Sequence, residues 1–300
     1  MTSTRVLVTG ATGFVGGHLT AFLAARGCDV HAVVRTESRL DRLRSIVPTV
    51  VAHRHDGSME SIIEIVRSAK PEVVLHLATT FVAEHQARDV VPMLTSNVVF
   101  ATQLLEAMIR NGVDCLVNAG TLWQHYQNAP YRPANLYAAT KQAFETLVTY
   151  YGDCHGVRAV TLKLCDTYGE QDSRRKLIPA LIGAARSGLV LPMGSRDRRI
   201  ELVHVADVVR ALWVASERVR DLPAGGFESF RVWGDRCSLF EVVELFNRLS
   251  RRKVEVRWDE LEHGPREMTE SIDVLAPLPG WRPEFDLTSG LTRMLGVTAG

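Results

Sequence analysis

The amino-acid sequence predicts an α/β protein, a doubly wound parallel sheet followed by a smaller mixed α/β part. Three features carry that prediction. Short β-branched runs alternate with longer amphipathic stretches through the first two-thirds of the chain, a glycine-rich turn joins the first run to the first helix, and the rhythm loosens after Tyr168. Strands are expected at Arg5–Gly10, Asp29–Arg35, Val50–His55, Glu72–Ala78, Asp114–Gly120 and Arg158–Cys165. Helices are expected between them near Phe14–Arg26, Met59–Ala69, Val90–Arg110 and Leu136–His155, several closed by Gly or Pro where a helix stops. Beyond Tyr168 the pattern gives a Pro-containing helix, short strands around Leu189–Met193 and Arg199–Val205, and a helix at Ala206–Glu217. A strand at Phe227–Trp233, a helix at Leu239–Arg251, a strand at Lys253–Trp258 and a Pro-rich tail complete the chain. Residues 1–168 are read as the first domain and 169–300 as mainly the second, separated by a change of rhythm and not by a linker.

The 300 residues are 46% hydrophobic and 23% charged, the make-up of a globular protein, which excludes disorder, collagen and a small disulfide scaffold. Lys and Arg total 35 against 34 for Asp and Glu, so the net charge of +1 supplies no field to draw in nucleic acid or an anionic membrane. An anionic ligand must therefore meet a local cluster. The apolar run at Arg5–Thr9 leaves no room for a signal core, and no stretch of about 18 uninterrupted apolar residues reads as a membrane span. The widely spaced Cys28, Cys115, Cys154, Cys165 and Cys237 show no metal-type pairing. The expectation is a cytoplasmic protein with reduced thiols, no metal, and neither nucleic acid nor membrane as a partner.

The first strand runs into Gly10-Ala11-Thr12-Gly13-Phe14-Val15-Gly16 at the start of a helix. Glycines let the backbone turn tightly and approach a pyrophosphate, and the helix N-terminus offers free N–H groups and a positive dipole end. Strand, turn, glycines and helix in that order give the Rossmann arrangement and point to a dinucleotide. The second strand ends at Arg35, where a protein preferring NAD would place an acid to grip the ribose hydroxyls; an arginine suits a 2′-phosphate. Ser38 and Arg39 follow closely enough to share that contact, although an ordinary solvated helix start would look the same. The expected cofactor is NADPH rather than NADH. Asp56, in His55-Asp56-Gly57, fits two roles equally, a contact to adenine or a helix cap.

Tyr137-Ala-Ala-Thr-Lys141 puts a phenol and an ammonium one helical turn apart on one face. A phenol, with a pKa near ~10, donates a proton at neutral pH only where a neighbouring cation stabilises the phenolate left behind. The fifth strand ends at Asn118-Ala-Gly-Thr121, which presents a hydroxyl at the carboxyl edge of the sheet.

Together the Gly10/Gly13/Gly16 loop, the strand end Leu77-Ala78, Thr121 and Tyr137/Lys141 resemble the extended short-chain dehydrogenase/reductases that modify nucleotide sugars. The resemblance runs to Pro279-Gly280-Trp281-Arg282-Pro283, which is similar to a glycine-tryptophan-x-proline signature near that family's C-terminus. It implies an NAD(P)-dependent enzyme in which Tyr137 is the general acid/base, Thr121 helps polarise the carbonyl and Lys141 also holds the nicotinamide ribose. Carried over position by position, it implies cofactor contacts at Gly10, Thr12, Gly13, Phe14 and Val15, at Arg35, Ser38 and Arg39, at Asp56 and Gly57, at Leu77, Ala78 and Thr79, and at Leu164. It also implies a homodimer through the helices at Val90–Arg110 and Leu136–His155, with Leu104, Leu105, Met108, Phe144 and Leu147 as apolar candidates; facing the sheet is their other reading.

Three reactions share this scaffold: 4,6-dehydration, 4-epimerisation and reduction of a 4-keto sugar. Dehydratases of the family follow the threonine with an Asp-Glu pair, and this chain reads Thr121-Leu122-Trp123-Gln124-His125-Tyr126. Epimerases carry a serine-rich turn there. The segment, with Asn135-Leu-Tyr-Ala-Ala-Thr-Lys-Gln-Ala-Phe-Glu145, resembles instead the reductases of CDP-abequose and CDP-paratose synthase type. Reduction by NADPH of a nucleoside-diphosphate 4-keto-6-deoxyhexose is the first expectation, epimerisation with tightly bound NAD(P) the alternative, and a catalytically silent NADP sensor a remote third. The expected partner is a small nucleoside-diphosphate sugar.

Substrate contacts are expected at Thr121, Trp123, Gln124, Asp166, Lys176, Arg199 and Arg266. Trp123 fits sugar stacking or a core ring, and His125 more readily caps a loop than meets the sugar. Asp166 stands where the family often has an asparagine, and a carboxylate suits a backbone N–H or a sugar hydroxyl better than a diphosphate. The family's arginine four residues before His204 is here Ile200; Arg199, one place earlier, serves only if the strand carries a bulge. From Asp172 to Arg199 seven basic residues (Arg174, Arg175, Lys176, Arg186, Arg196, Arg198, Arg199) face two acids, Asp172 and Asp197, the local cluster that a diphosphate requires.

Overall fold

The β-branched runs form strands at nearly the expected positions, each stopped where the backbone must turn. The computed structural model describes residues 3–40, 43, 49–261, 266–268 and 272–296. Its strands are β1 (Arg5–Thr9), β2 (Asp29–Arg35), β3 (Val51–His55), β4 (Val73–His76), β5 (Cys115–Thr121), β6 (Arg158–Leu164), β7 (Asp166–Tyr168), β8 (Leu191–Pro192), β9 (Arg199–His204), β10 (Phe227–Val232), β11 (Asp235–Ser238) and β12 (Val256–Arg257). The described helices are α1 (Phe14–Ala25), α2 (Met59–Ala69), α3 (Ala87–Leu94), α4 (Phe100–Arg110), α5 (Leu136–His155), α6 (Leu177–Ser187), α7 (Val205–Arg218), α8 (Leu239–Leu249) and α9 (Leu287–Leu295).

Seven strands make one parallel sheet in the order β10-β6-β5-β4-β1-β2-β3, and the winding reverses between β1 and β4. Period-two alternation sorts the core. In β1, Val6 and Val8 join Leu19 and Leu23 of α1 and Val208 and Leu212 of α7, while Leu7 faces Ile62 and Val66 of α2, Leu104 and Met108 of α4 and Phe144 of α5. A third core under Tyr168 gathers Leu181, Leu202, Val242, Phe246 and Leu291, and small sheets β11-β9-β7 and β12-β8 lie in the second part.

Several expectations change. The chain crosses the boundary drawn at residue 168 twice: α7 packs on α1, and β10 pairs in parallel with β6, Phe227 opposite Ala159, as the seventh strand of the first sheet. The Pro-rich tail contains α9, whose Asp286 side chain accepts from the Ser289 N–H at 2.7 Å. Trp281 of the C-terminal signature donates its ring N–H to the Asp207 carbonyl at 3.0 Å, tying the tail to the start of α7. Leu104, Leu105, Met108 and Phe144 are buried against the sheet and so unavailable to a second copy, while Leu147 packs beside them partly buried; among the described residues, Val91, Leu94, Val99 and Tyr150 are the exposed large apolar residues of those helices. The run Ala87–Arg110 has the length and hydropathy of a membrane span, yet Met93, Leu104, Leu105 and Met108 lie inside the protein.

Several histidines are buried in neutral form. Burial lowers His76 to about 3 and His125 to about 4, and His53, His55 and His204 are lowered for the same reason. The unfolded chain takes up protons near pH 6.5 and the folded chain does not, so this stability is full above about 6.5 and lost as pH falls toward the folded values. His76 and His125 together should cost about 4 kcal/mol at pH 5. Thermal unfolding is expected at least about 4 °C lower at pH 5 than at pH 7.5; an unchanged Tm would show that these rings are not buried neutral.

Candidate active site

The carboxyl ends of β1, β4, β5 and β6 converge at the reversal of winding, where doubly wound sheets open a crevice. Gly10 ends β1 with φ +75°, and a Cβ there would lie 2.7 Å from the Ala78 nitrogen. A Cβ on Gly16 would stand 2.1 Å from the Gly10 carbonyl oxygen, and one on Gly13 would narrow the turn that caps α1. Gly10 and Gly16 therefore tolerate no side chain, and the N–H groups of the turn line the start of a helix, which fits a dinucleotide pyrophosphate. Thr12 is exposed in this turn, Phe14 begins α1, and Val15 packs on the core beneath.

β2 lies beside β1 and ends on the same carboxyl edge of the sheet. Arg35 is exposed there, with Nε 3.2 Å from Glu37, and the Ser38 N–H donates to the Arg35 carbonyl at 3.0 Å. Arg39 is exposed, and Arg54 from β3 donates to the Arg35 carbonyl at 3.4 Å, a second guanidinium that the sequence did not single out. Of the two roles open to Asp56, the helix cap falls to another residue: Ser58 caps α2 by accepting from Ser61 N at 3.1 Å, and Asp56 accepts from Ser58 N and Oγ at 2.8 and 2.7 Å, bonds that hold its carboxyl below the ordinary range. Gly57 turns the chain with φ +96°.

On the other side of β1, the Thr9 hydroxyl accepts from the Leu77 and Ala78 N–H groups at 3.2 and 3.1 Å and lies 2.8 Å from Nδ1 of the buried His76. The following loop is fastened by Asn97, which accepts from Thr79 Oγ1 and Thr80 N at 3.0 and 2.8 Å and donates to the Thr80 carbonyl and Thr140 Oγ1 at 3.0 and 2.9 Å. Asn97 sits in a π-helical turn, Thr95–Val99, between α3 and α4; an Asn inside an apolar helical run was the available signal. Leu164 closes β6 opposite Thr121.

On α5, the Asn135 side chain caps the helix by accepting from Ala138 N at 2.9 Å, so Tyr137 and Lys141 fall in its first turns. Tyr137 is 9% exposed and Lys141 2%. Burial pushes the phenol up to about 12, against the opposing effects of a Thr79 hydrogen bond and Arg174, and pulls the ammonium down to about 8, with Glu145 opposing and Lys163 assisting. Thr121 Oγ1 accepts from the Trp123 N–H at 3.3 Å. Phe81 packs edge-on over the Tyr137 ring with centroids 4.9 Å apart, and Trp123 lies 5.8 Å from Phe81.

A cavity of about 1810 Å³ spreads from Trp123 and Leu136 toward β9 and α6. Lys176 lies at its inner end, 2.7 Å from Asp166 and over the Phe81 and Trp123 rings at 4.5 and 5.3 Å. Asp166 thus bonds an ammonium, where a backbone N–H or a sugar hydroxyl was the expected partner. Arg174 is held by Asp172 and covers the Phe14 ring at 4.3 Å, on the dinucleotide side. Arg199 lines the cavity at the start of β9; its pairing with β11 is regular, Ser238 opposite Arg199 and Cys237 opposite Ile200, with no bulge to turn it. Arg266 lines the cavity and donates to the Pro133 carbonyl at 2.8 Å. Gln124 is reassigned: it is fully buried, accepts from Thr121 N at 3.0 Å and donates to Gln142 and Glu145 at 3.0 and 2.9 Å, behind the cavity wall. His125 is a loop residue, Nδ1 3.2 Å from the Ala129 carbonyl.

Residues 6–228 match the family described as NAD dependent epimerase/dehydratase. Among curated relatives, the CDP-abequose synthase of Salmonella typhimurium is 25% identical over 97% of both chains, and the UDP-glucose 4-epimerase of Azospirillum brasilense is 26% identical over 97% of this chain and 90% of its own. The UDP-glucose 4-epimerase of Brucella ovis, solved with NAD, shares the fold at a TM-score of 0.86 with 22% identity over 98% of both chains. That of Thermus thermophilus, also solved with NAD, superposes at 0.80 with 26% identity over 99% of this chain and 100% of its own.

Gly16→Ala should force two backbone segments apart at a cost of about 1–3 kcal/mol. A lower Tm with at least tenfold weaker dinucleotide binding, followed by NADPH fluorescence, is the expected result; unaltered affinity would remove the pyrophosphate from this turn.

Proposed function

The chain belongs to the NAD dependent epimerase/dehydratase family, and from that premise we propose that it reduces the 4-keto group of a nucleoside-diphosphate 4-keto-6-deoxyhexose with NADPH. It is an enzyme of the oxidoreductase/epimerase class whose full-length relatives modify nucleotide sugars. The observation that supports the finer reading is the segment after β5, Thr121-Leu122-Trp123-Gln124-His125-Tyr126, which lacks the serine-rich turn of the family's epimerases. The buried Tyr137 phenol, held in its protonated form, suits a donor to a forming alkoxide. The segment Thr121-Leu-Trp-Gln supplies no acidic pair for dehydration.

The Gly10–Gly16 cradle and the Leu77–Thr79 segment that follows β4 would hold the nicotinamide cofactor, which would supply the hydride. The Thr121 hydroxyl, at the end of β5, orients and polarises the carbonyl. The Tyr137 phenol gives up its proton to the oxygen, and the Lys141 ammonium, one turn along, stabilises the phenolate until it is reprotonated. Phe81 and Trp123 shield this proton transfer from water and offer apolar rings to the deoxygenated edge of the sugar. Lys176, with a neighbouring cation of the cavity wall such as Arg175, supplies charge for the diphosphate. Arg35 and its neighbour Arg54 favour the 2′-phosphate of NADPH. A homodimer through Val91, Leu94, Val99 and Tyr150 would cover the apolar stripe of the α3, α4 and α5 face.

With a CDP- or dTDP-linked 4-keto-6-deoxy sugar, one NADPH should be oxidised per sugar reduced, and Tyr137→Phe should lower turnover by about 10²–10⁴-fold with NADPH binding retained. Sugar conversion without net NADPH oxidation would establish epimerisation instead. Arg35→Asp should shift the NADPH/NADH preference toward NADH by at least tenfold in kcat/KM; an unmoved ratio would place the 2′-phosphate elsewhere.

A further inference from the structure

Tyr137, Lys141 and Glu145 stand on successive turns of α5, so a proton donor, a cation and a carboxylate share one buried face. The proposed chemistry uses only the first two. Glu145 is 5% exposed, and its two oxygens accept from Lys163 Nζ at 2.5 and 2.6 Å, Lys163 reaching across from β6. The same carboxylate accepts from Gln124 at 2.9 Å, and Gln124 in turn accepts the Thr121 N–H at 3.0 Å. One acid therefore joins the strand that carries Thr121 to the helix that carries Tyr137.

The charged and titratable groups that act on Lys141 are Glu145 from its own helix and Lys163 from β6, and Lys141 in turn acts on His76 of β4; Tyr137 stands one turn before it on α5, and His125, beyond, feels Lys163. His76 is neutral, so the cluster holds two cations and one anion. Without Lys163, the counter-ion left to Glu145 inside this cluster would be Lys141, and attraction in a poorly screened interior would draw that ammonium toward the carboxylate and away from the phenol.

We propose that Glu145 and Lys163 are a positioning pair for the site: Lys163 occupies the carboxylate so that the Lys141 ammonium stays with Tyr137, while the carboxylate fixes the Gln124 amide that holds the Thr121 backbone. The inference rests on the reductase reading for its effect on turnover, and stands apart from it for its effect on Lys141 itself.

Lys163→Met, Glu145→Gln and the double variant test it, with ¹⁵N NMR of the lysine Nζ atoms, Lys141 assigned from Lys141→Arg, beside the pH profile of NADPH oxidation. Lys141 titrates at about 8, and turnover should fall as pH rises through that value. Removing the cation should raise the Lys141 midpoint by about one pH unit, removing the carboxylate should lower it by a similar amount, and the double variant should return near the parent. Both single variants should lose at least tenfold in kcat with the KM for NADPH little changed. Shifts in the same direction, or a lowered Tm with the midpoint unmoved, would make the pair structural only. Opposed shifts in a protein that oxidises NADPH with no 4-keto sugar nucleotide would overturn the reductase reading and leave the pair's role standing. Should a buried unpaired charge prevent folding, Gln124→Met removes the amide that links Glu145 to the Thr121 backbone and leaves the Glu145–Lys163 pair in place: a tenfold fall in kcat is expected, and an unaltered kcat overturns the positioning role.

Discussion

The site depends on a contact that admits no side chain: the Gly10 backbone against the Leu77–Ala78 backbone, across the point where the sheet changes its direction of winding. Strand pairing alone would bring β1 and β4 side by side and leave their carboxyl ends free to diverge. The close approach lets the Thr9 hydroxyl take two N–H groups of the next strand's end, which fixes the path of the loop that follows. Asn97 then fastens that loop to Thr140 on α5, three residues from Tyr137. Glycine cradle and proton donor are thus joined through a short series of backbone and buried hydrogen bonds, none with much freedom to relax. A dinucleotide seated on one and a ketone beside the other would meet in a fixed relation, which hydride transfer requires.

The same buried helix face explains why the site carries more charge than its chemistry uses. A lone carboxylate or ammonium behind α5 would be costly to desolvate, and a well-packed apolar cluster of similar volume would be at least as stable as the Glu145–Lys163 pair. Stability alone gives no reason for the pair. Geometry does, because an apolar cluster could not accept from the Gln124 amide that holds the Thr121 backbone. Lys141 consequently sits in a field that Glu145 and Lys163 pull in opposite directions, and burial decides the outcome.

What the sequence made legible follows from how local each signal is. The strand–turn–helix at residues 5–16 and α5 at Leu136–His155 are written in contiguous residues, caps included, and the structure places both as expected. The period of α4 and α5 identified apolar faces but not what covers them, so Leu104 and Phe144 served equally well as sheet-facing or partner-facing until the pairing of β4, β5 and β6 was known. Strand β10 lies more than 60 residues beyond its partner β6, and sequence patterning carries no such register. The roles of Gln124, Arg174 and Asn97 were illegible for a related reason: each side chain is defined by partners from other elements, and Asn97 also depends on a π-helical turn that shifts the helical phase by a residue. Asp286 and Ser289 did announce α9, but the surrounding prolines outweighed them.

The near-neutral charge of the chain takes on a different meaning once the cavity is described. Counted along the sequence, the stretch from Asp172 to Arg199 looks like an excess of free cations. In space, Arg174 is already held by Asp172, Lys176 by Asp166 and Arg198 by Glu267. A diphosphate reaching for these three would compete with carboxylates for cations already oriented. Such competition lowers the gain from charge alone, because each contact made with a phosphate oxygen loosens one made with an acid. Selectivity then rests on what the carboxylates gain in exchange. Asp166, released from Lys176 beside Trp123, is well placed to accept a sugar hydroxyl, so an anion that brings a hydroxylated ring would be favoured over phosphate alone.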